Sequence, residues 1–385
     1  MKRPASRTPS TGRDERSSKD APAPSLSHAV RTAELLLTCG PGGVGKTTTA
    51  AALGVAAARS GRRTVVVTVD PARRLADALG LDAAAAAADE PHRVDGITKR
   101  ATDGELYALM LDAEKTFDRL VRDQAGSRKQ ADAILDNPVY RAISGSLSGA
   151  QEYMAIERLH QLHTSGEWDL VIVDTPPSRH AIDLLEAPDR LVGFLSHPVY
   201  RTLTVGQRTF AKITDAASSM FLWAVKRLAG PQIVEDTVQF FRSLANIEGG
   251  LRSRAKDVSR LLRSPDTAFV VVSSPRAEAV GEAEHLLDAI AEKGFPLSGV
   301  VVNLIHPLPD ELAPDDRAEL DALDDGPLRD HLEWYDDLHD LSTAERGQIS
   351  ELRRLAGSAP VVELPLLDED IHDVPGLIGL SGRLA

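Results

Sequence analysis

Cysteine and aromatic residues are scarce in this chain of 385 residues, with one cysteine, Cys39, and an aromatic share of 4%. A single thiol excludes an intramolecular disulfide and any metal site made from cysteines of one chain. The core has to rest on Ala, Val, Leu and Ile, within a hydrophobic share of 42%. No uninterrupted apolar run approaches the roughly 18–20 residues that span a bilayer. The polar first residues also lack the apolar stretch of a secretory signal. Positive charge is in deficit, and a formal net charge of −13 argues against nucleic acid as the main partner, because phosphate contacts need a basic face. These absences point to a cytoplasmic protein, with length for one large domain or two modest ones.

Much of the acidic excess is local. Thirteen carboxylates between Asp310 and Asp340 stand against Arg317 and Arg329 alone. Such a run reads as a solvated, mobile surface segment or as a docking surface for a basic partner.

Residues 1–30 are rich in Pro, Ser, Arg and Lys with almost no apolar pattern, so a disordered tail is expected there. From Ala33 onward the order is strand (Glu34 to Cys39), glycine-rich turn, helix (Lys46 to Ser60) and strand (Arg63 to Val69). That succession opens a parallel α/β sheet. Further strands are expected at Leu106 to Leu111, Leu170 to Val173, Ala268 to Val272, Gly299 to Asn303 and Val361 to Leu364. Helical stretches at about 113–163 and 181–262 read as insertions. The fold class is therefore α/β, one domain over 31–385 with a doubly wound, mostly parallel sheet.

The turn Gly40-Pro41-Gly42-Gly43-Val44-Gly45-Lys46-Thr47 fits the pattern GxxxxGK[ST] and sits between a strand and a helix. Glycines let the backbone curl so that successive N–H groups converge on phosphate oxygens at the positive end of a helix. Gly42, Gly43, Val44, Gly45, Lys46, Thr47 and Thr48 are the expected wrapping residues, with Lys46 supplying charge and the Thr47 hydroxyl a Mg²⁺ ligand. Asp174 ends an apolar strand, where a carboxylate can hold the same ion or simply cap the next helix. Thr175 to His180 (TPPSRH) is a stiff polar turn placed to sense a terminal phosphate. Asp70, at the end of the second strand, can orient the attacking water, support magnesium indirectly or form a turn before Pro71. The Asn-Lys-x-Asp pattern of guanine sites is absent after Val302, whereas Asn303 offers both a donor and an acceptor to an adenine edge. The fold is thus expected to be that of a P-loop NTPase, with Mg-ATP as the ligand.

Taken together these residues resemble the ArsA family of ATPases, which includes arsenite-pump motors and the guided-entry factors for tail-anchored membrane proteins. The resemblance runs from Leu35 to about Leu380. The family reads GKGGVGKTT, TDPA and DTAPTGHT where this chain has GPGGVGKTT, TVDPA and DTPPSRHA. Ser148 to Glu152 is similar to the family's PG-x-x-E segment, and the DPARRLADALG wording is similar to its actinobacterial anion-transporting branch. The resemblance implies that Asp70 activates water, that Asn303 and Pro365 belong to the nucleotide contacts, and that Asp370 matches the acidic residue after the family's PLL. It also implies a dimer.

Two departures carry consequences. The family's extra lysine, which reaches the nucleotide of the other subunit, is Pro41 here. A heterodimer with a lysine-containing paralogue, or slow hydrolysis, is therefore expected. The family's metalloid-binding and zinc-clamp cysteines are also missing, which makes arsenite transport and bound zinc doubtful. Around Arg190 to Leu262, residues such as Phe194, Leu195, Tyr200, Phe210, Trp223 and Phe240 either pack the insertion on its own domain or line a groove for a hydrophobic client. Three roles follow: an ATPase handling a hydrophobic or membrane-protein client, the motor of an anion exporter served by a membrane transporter, or a regulatory nucleotide-binding subunit.

Overall fold

A computed structural model of the protein describes residues 25–69, 74–81, 89–97, 103–138, 150–197, 248–311 and 326–385, with residues 100, 240, 245 and 313. Asp70, Ser148, Gly149, Tyr200, Phe210, Trp223, most of the tail and the acidic stretch 314–325 lie outside the described residues.

Eight strands form one sheet in the order β3-β4-β2-β5-β1-β6-β7-β8. They are β1 (Leu35–Cys39), β2 (Thr64–Thr68), β3 (His92–Arg93), β4 (Leu106–Met110), β5 (Leu170–Asp174), β6 (Thr267–Ser273), β7 (Leu297–Ile305) and β8 (Val361–Pro365). All pair in parallel except the short edge strand β3, which runs antiparallel to β4. The central strands β1, β2, β5 and β6 are buried at every position. That explains their continuous apolar sequences, since helices cover both faces of a parallel sheet. Each buried Leu or Val there contributes about 1.5–3 kcal/mol.

One face is covered by α1 (Ser27–Thr32), α2 (Lys46–Arg59), α3 (Arg74–Ala78) and the C-terminal helix, whose buried residues form one core with Leu36, Val66 and Ile172. The folded part thus begins before the boundary expected at residue 31. Leu26 is 1% exposed and its N–H donates to Leu384 O at 2.7 Å, so an apolar anchor ends the polar tail.

On the other face lie α4 (Ala113–Gln124), α5 (Arg128–Leu135), α6 (Ala150–Thr164), α7 (Ser178–Ser196), α8 (Glu248–Leu262) and α9 (Ala277–Glu292). α6 to α9 supply residues to a second core under the sheet. A third core, with Leu120, Ile134, Met154, Leu195 and Phe240, joins α4 to α8 into a helical layer of its own. Leu195 and Phe240 are buried in it, while Phe194 is 47% exposed.

β7 and β8 are connected through α10 (Pro327–Gln348) and α11 (Ser350–Ala356), and α12 (Val374–Leu384) closes the described chain. Part of the acidic run lies in α10. Its second half, read above as mobile surface, is helical, because Ser342 and Glu345 bury one end of α10 against the β7 exit. The other end leaves Trp334 79% exposed beside its carboxylates.

Candidate functional site

β1, β2, β5 and β6 all end at the same edge of the sheet, and the glycine loop leaves β1 there. Gly43 (φ 74°) and Gly45 (φ 90°) take left-handed backbone conformations, which side-chain-bearing residues enter at a cost of about 1–2 kcal/mol. The loop thereby turns directly into α2, whose first-turn N–H groups and dipole favour an anion at that spot. Lys46 is 8% exposed, and its Nζ donates to Pro41 O at 2.7 Å. The ammonium is therefore held inside the loop's own curl. Val44 is buried against the core, which pins the loop from below.

Asp174 ends β5, beside β1, with Thr38 paired to it in register. Its Oδ2 accepts from Thr47 Oγ1 at 2.7 Å and from Thr68 Oγ1 at 3.0 Å. A hydroxyl and a buried carboxylate thus converge at the mouth of the loop. This donor set fits magnesium, a hard cation that takes one or two protein oxygens and completes its shell with phosphate and water. The turn after Asp174 is equally tied. Thr175 Oγ1 donates to Thr38 O at 2.9 Å, and the Ser178 hydroxyl donates to Glu282 of α9. Cys39 lies directly beneath, and burial pushes its thiol up to about 12.

A cleft of about 420 Å³ opens over the loop. Gly42, Gly43, Gly45, Lys46, Thr47 and Thr48 line it, together with residues that include Asp77, Thr175, Asp370 and His372. Asp370, matched above to the acidic residue after the family's PLL, lies at the cleft. Asp77 and His372 were not anticipated. Their only sequence signal is nearness to the DPA and PLL segments, and nothing in spacing alone turns them toward the loop.

Asn303 sits further along the same edge. Its Nδ2 donates to Val44 O at 3.0 Å, so the amide is turned to the loop backbone. The strand is irregular here. Val302 pairs with Glu363 but Ile305 pairs with Pro365, leaving one extra residue in β7. Leu304, inside this bulge, has φ 65°, an uncommon conformation for a leucine. Pro365 flanks the bulge, with Leu366 N donating to Ile305 O at 2.8 Å, and is not among the residues lining the cleft.

The sequence pattern of the anion-transporting ATPase family, ArsA_ATPase, matches residues 33–320. Among known proteins, the chain is 27% identical over 355 residues to ATPase GET3C of Arabidopsis thaliana, spanning 88% of this chain and 78% of that one. It is 28% identical over 286 residues to ATPase ARSA1 of Chlamydomonas reinhardtii, spanning 69% of this chain but 34% of the relative. Similarity to the ATPase ASNA1 homolog of Dictyostelium discoideum is 26% identity over 270 residues, with 69% and 70% covered.

Proposed function

Because the chain belongs to the anion-transporting (ArsA) ATPase family, we propose that it binds Mg-ATP in the Gly40–Thr47 loop and hydrolyses it to drive changes in a dimer. The observation that carries this reading is the convergence of buried Lys46 and Asp174 with half-buried Thr47 on one glycine-rich loop at a helix N-terminus. Loop N–H groups and Lys46 would bind the β- and γ-phosphates, and Lys46 would exchange its contact with Pro41 O for phosphate oxygen. Thr47 and Asp174 would hold magnesium, which when bound neutralises charge on the leaving phosphates. Asp70 would position the attacking water, an assignment supported by family resemblance. Asn303, and beyond it Pro365, would border the adenine. Among the described residues no helix is long and apolar enough to cross a membrane.

Position 41 favours a particular assembly. Pro41 is buried and offers Lys46 a carbonyl, so it cannot supply the cross-subunit charge of the family lysine. A heterodimer with a lysine-containing paralogue is the reading this supports, with this chain as the weaker or regulatory half. The driven step would be handling of a hydrophobic client or transport of an anion, the two activities that the family resemblance implies.

The decisive experiment pairs calorimetry with a phosphate-release assay, on the chain alone and with each paralogue. Mg-ATP should bind the lone chain, Lys46→Ala should abolish binding, and turnover should rise on adding the right partner. No heat from Mg-ATP or Mg-ADP with folded protein would refute the nucleotide site. Fast turnover by the lone chain, unchanged by partners, would refute the heterodimer.

A further inference from the structure

The bulge in β7 is gripped from outside the nucleotide site. Glu345, buried at the C-terminal end of α10, accepts through Oε2 from His306 N at 2.9 Å. Its Oε1 lies 2.7 Å from His306 Nδ1. One carboxylate thus holds both the backbone and the ring of the residue that follows the bulge. Ser342 Oγ, one turn earlier, donates to Pro307 O at 2.8 Å, and His339 Nδ1 lies 3.0 Å from Pro309 O. Four residues after β7 enters its irregular stretch, the chain is therefore clamped along three successive turns of α10.

On the near side of the bulge stands Asn303, bonded to the Val44 carbonyl of the phosphate loop. Between clamp and loop lies Leu304 at φ 65°. A non-glycine residue keeps such a conformation only where its surroundings over-determine it, and such strained positions cluster at functional sites. The clamp supplies that over-determination. With a regular β7 the alternation of side chains would continue through residues 303 and 304. The bulge breaks that alternation at Leu304, immediately after the Asn303 amide that meets the loop.

We propose that Glu345 is a positioning residue for the nucleotide site. Acting through His306 and the bulged turn, it holds the Asn303 amide on Val44 O and so keeps the peptide between Val44 and Gly45 oriented for phosphate. Glu345 touches no phosphate and no base. The consequence for affinity rests on the loop being a nucleotide cradle, as proposed above, whereas the contact itself does not. α10 thereby couples its exposed acidic half to the loop 40–47 through a chain of named contacts.

Hydrogen exchange of the loop 40–47, measured on the nucleotide-free protein, tests this directly. Asn303→Ala and Glu345→Ala should each speed loop exchange about three- to tenfold, the factor carried by one lost hydrogen bond. The double variant should be no faster than Asn303→Ala, because both changes remove the same contact. Glu345→Gln, which keeps one acceptor for His306, should restore most of the protection. By calorimetry, Mg-ATP and Mg-GTP should weaken by the same factor in Glu345→Ala. Wild-type loop exchange in Glu345→Ala, or multiplying effects in the double variant, would overturn the proposal. So would a changed ATP-to-GTP preference with unaltered loop exchange, which would assign Asn303 to the base alone. If Glu345→Ala does not fold, His306→Ala makes the same comparison. Failure of the wild-type chain to bind any nucleotide would sink the proposed function, while the exchange result would still decide this one.

Discussion

Replacing each loop glycine by alanine should give three different penalties, because the added methyl meets three different things. At Gly43 (φ 74°) nothing lies within 4 Å of the new Cβ. The cost is conformational alone, about 1–2 kcal/mol. At Gly45 (φ 90°) the Cβ would stand 2.4 Å from Asn303 Nδ2. That side chain can swing away, but it gives up its bond to Val44 O, adding about 0.5–1.5 kcal/mol, for roughly 2–3 in all. At Gly40 (φ 154°) the Cβ would sit 1.9 Å from Val272 O. This is backbone of a central strand paired on both sides and it cannot move aside. Overpacking of that kind adds about 1–3 kcal/mol or more, so Gly40→Ala should cost roughly 3–5. Urea unfolding should rank the variants Gly40, Gly45, Gly43 from most to least destabilised. Binding should rank differently. Gly43 lines the cleft, so its methyl occupies space needed by phosphate, and ATP affinity should fall by more than the stability loss accounts for. Gly104→Ala is the control. Its Cβ would meet Arg62 O at 2.1 Å, at the opposite edge of the sheet, so it should lose stability and keep its affinity. Equal unfolding midpoints for Gly40→Ala and Gly43→Ala would refute this reasoning.

Asp174→Asn keeps an acceptor for Thr47 and Thr68 but loses the charge. The magnesium concentration that half-saturates ATP turnover should rise about 10–100-fold, with metal-free ATP binding nearly unchanged. Cys39 should resist alkylation at pH 8 in folded protein and react once urea unfolds it. Burial holds its thiol protonated up to about 12, above the ordinary value of roughly 8.5. Its contribution to stability is therefore complete below that ordinary value and is lost as pH climbs toward 12, so Cys39→Ala should flatten the alkaline decline in stability. Glu157, fully buried, is paired with Arg254 across α6 and α8. Arg254→Met should cost about 3 kcal/mol in urea unfolding because it strands a buried carboxylate, whereas adding Glu157→Leu should recover most of that loss. A double variant as unstable as the single one would contradict this.

The parallel sheet was readable from the sequence because buried strands have no alternation to hide. LLLTC, TVVVT and LVIVD each lie between turn residues, and each is a strand in the structure. The loop was readable because glycine spacing is itself the geometry. α10 was not, since a run of carboxylates has the composition of a solvated segment and its helix is anchored by only a few residues near Gln348. Nor was the bulge at Leu304 legible. VVNLIHP carries no glycine or asparagine at the strained position, so local propensity argues for a regular strand to its end. The left-handed Leu304 exists because tertiary contacts impose it, with Glu345 about forty residues downstream by the numbering and Val44 far upstream. A regular strand would relieve that residue of about 1–2 kcal/mol of strain and would shift the register of the residues after it. Keeping the bulge therefore means that the contacts on either side of Leu304 together outweigh its strain, and weakening the clamp should let β7 straighten and loosen the phosphate loop before the sheet itself gives way.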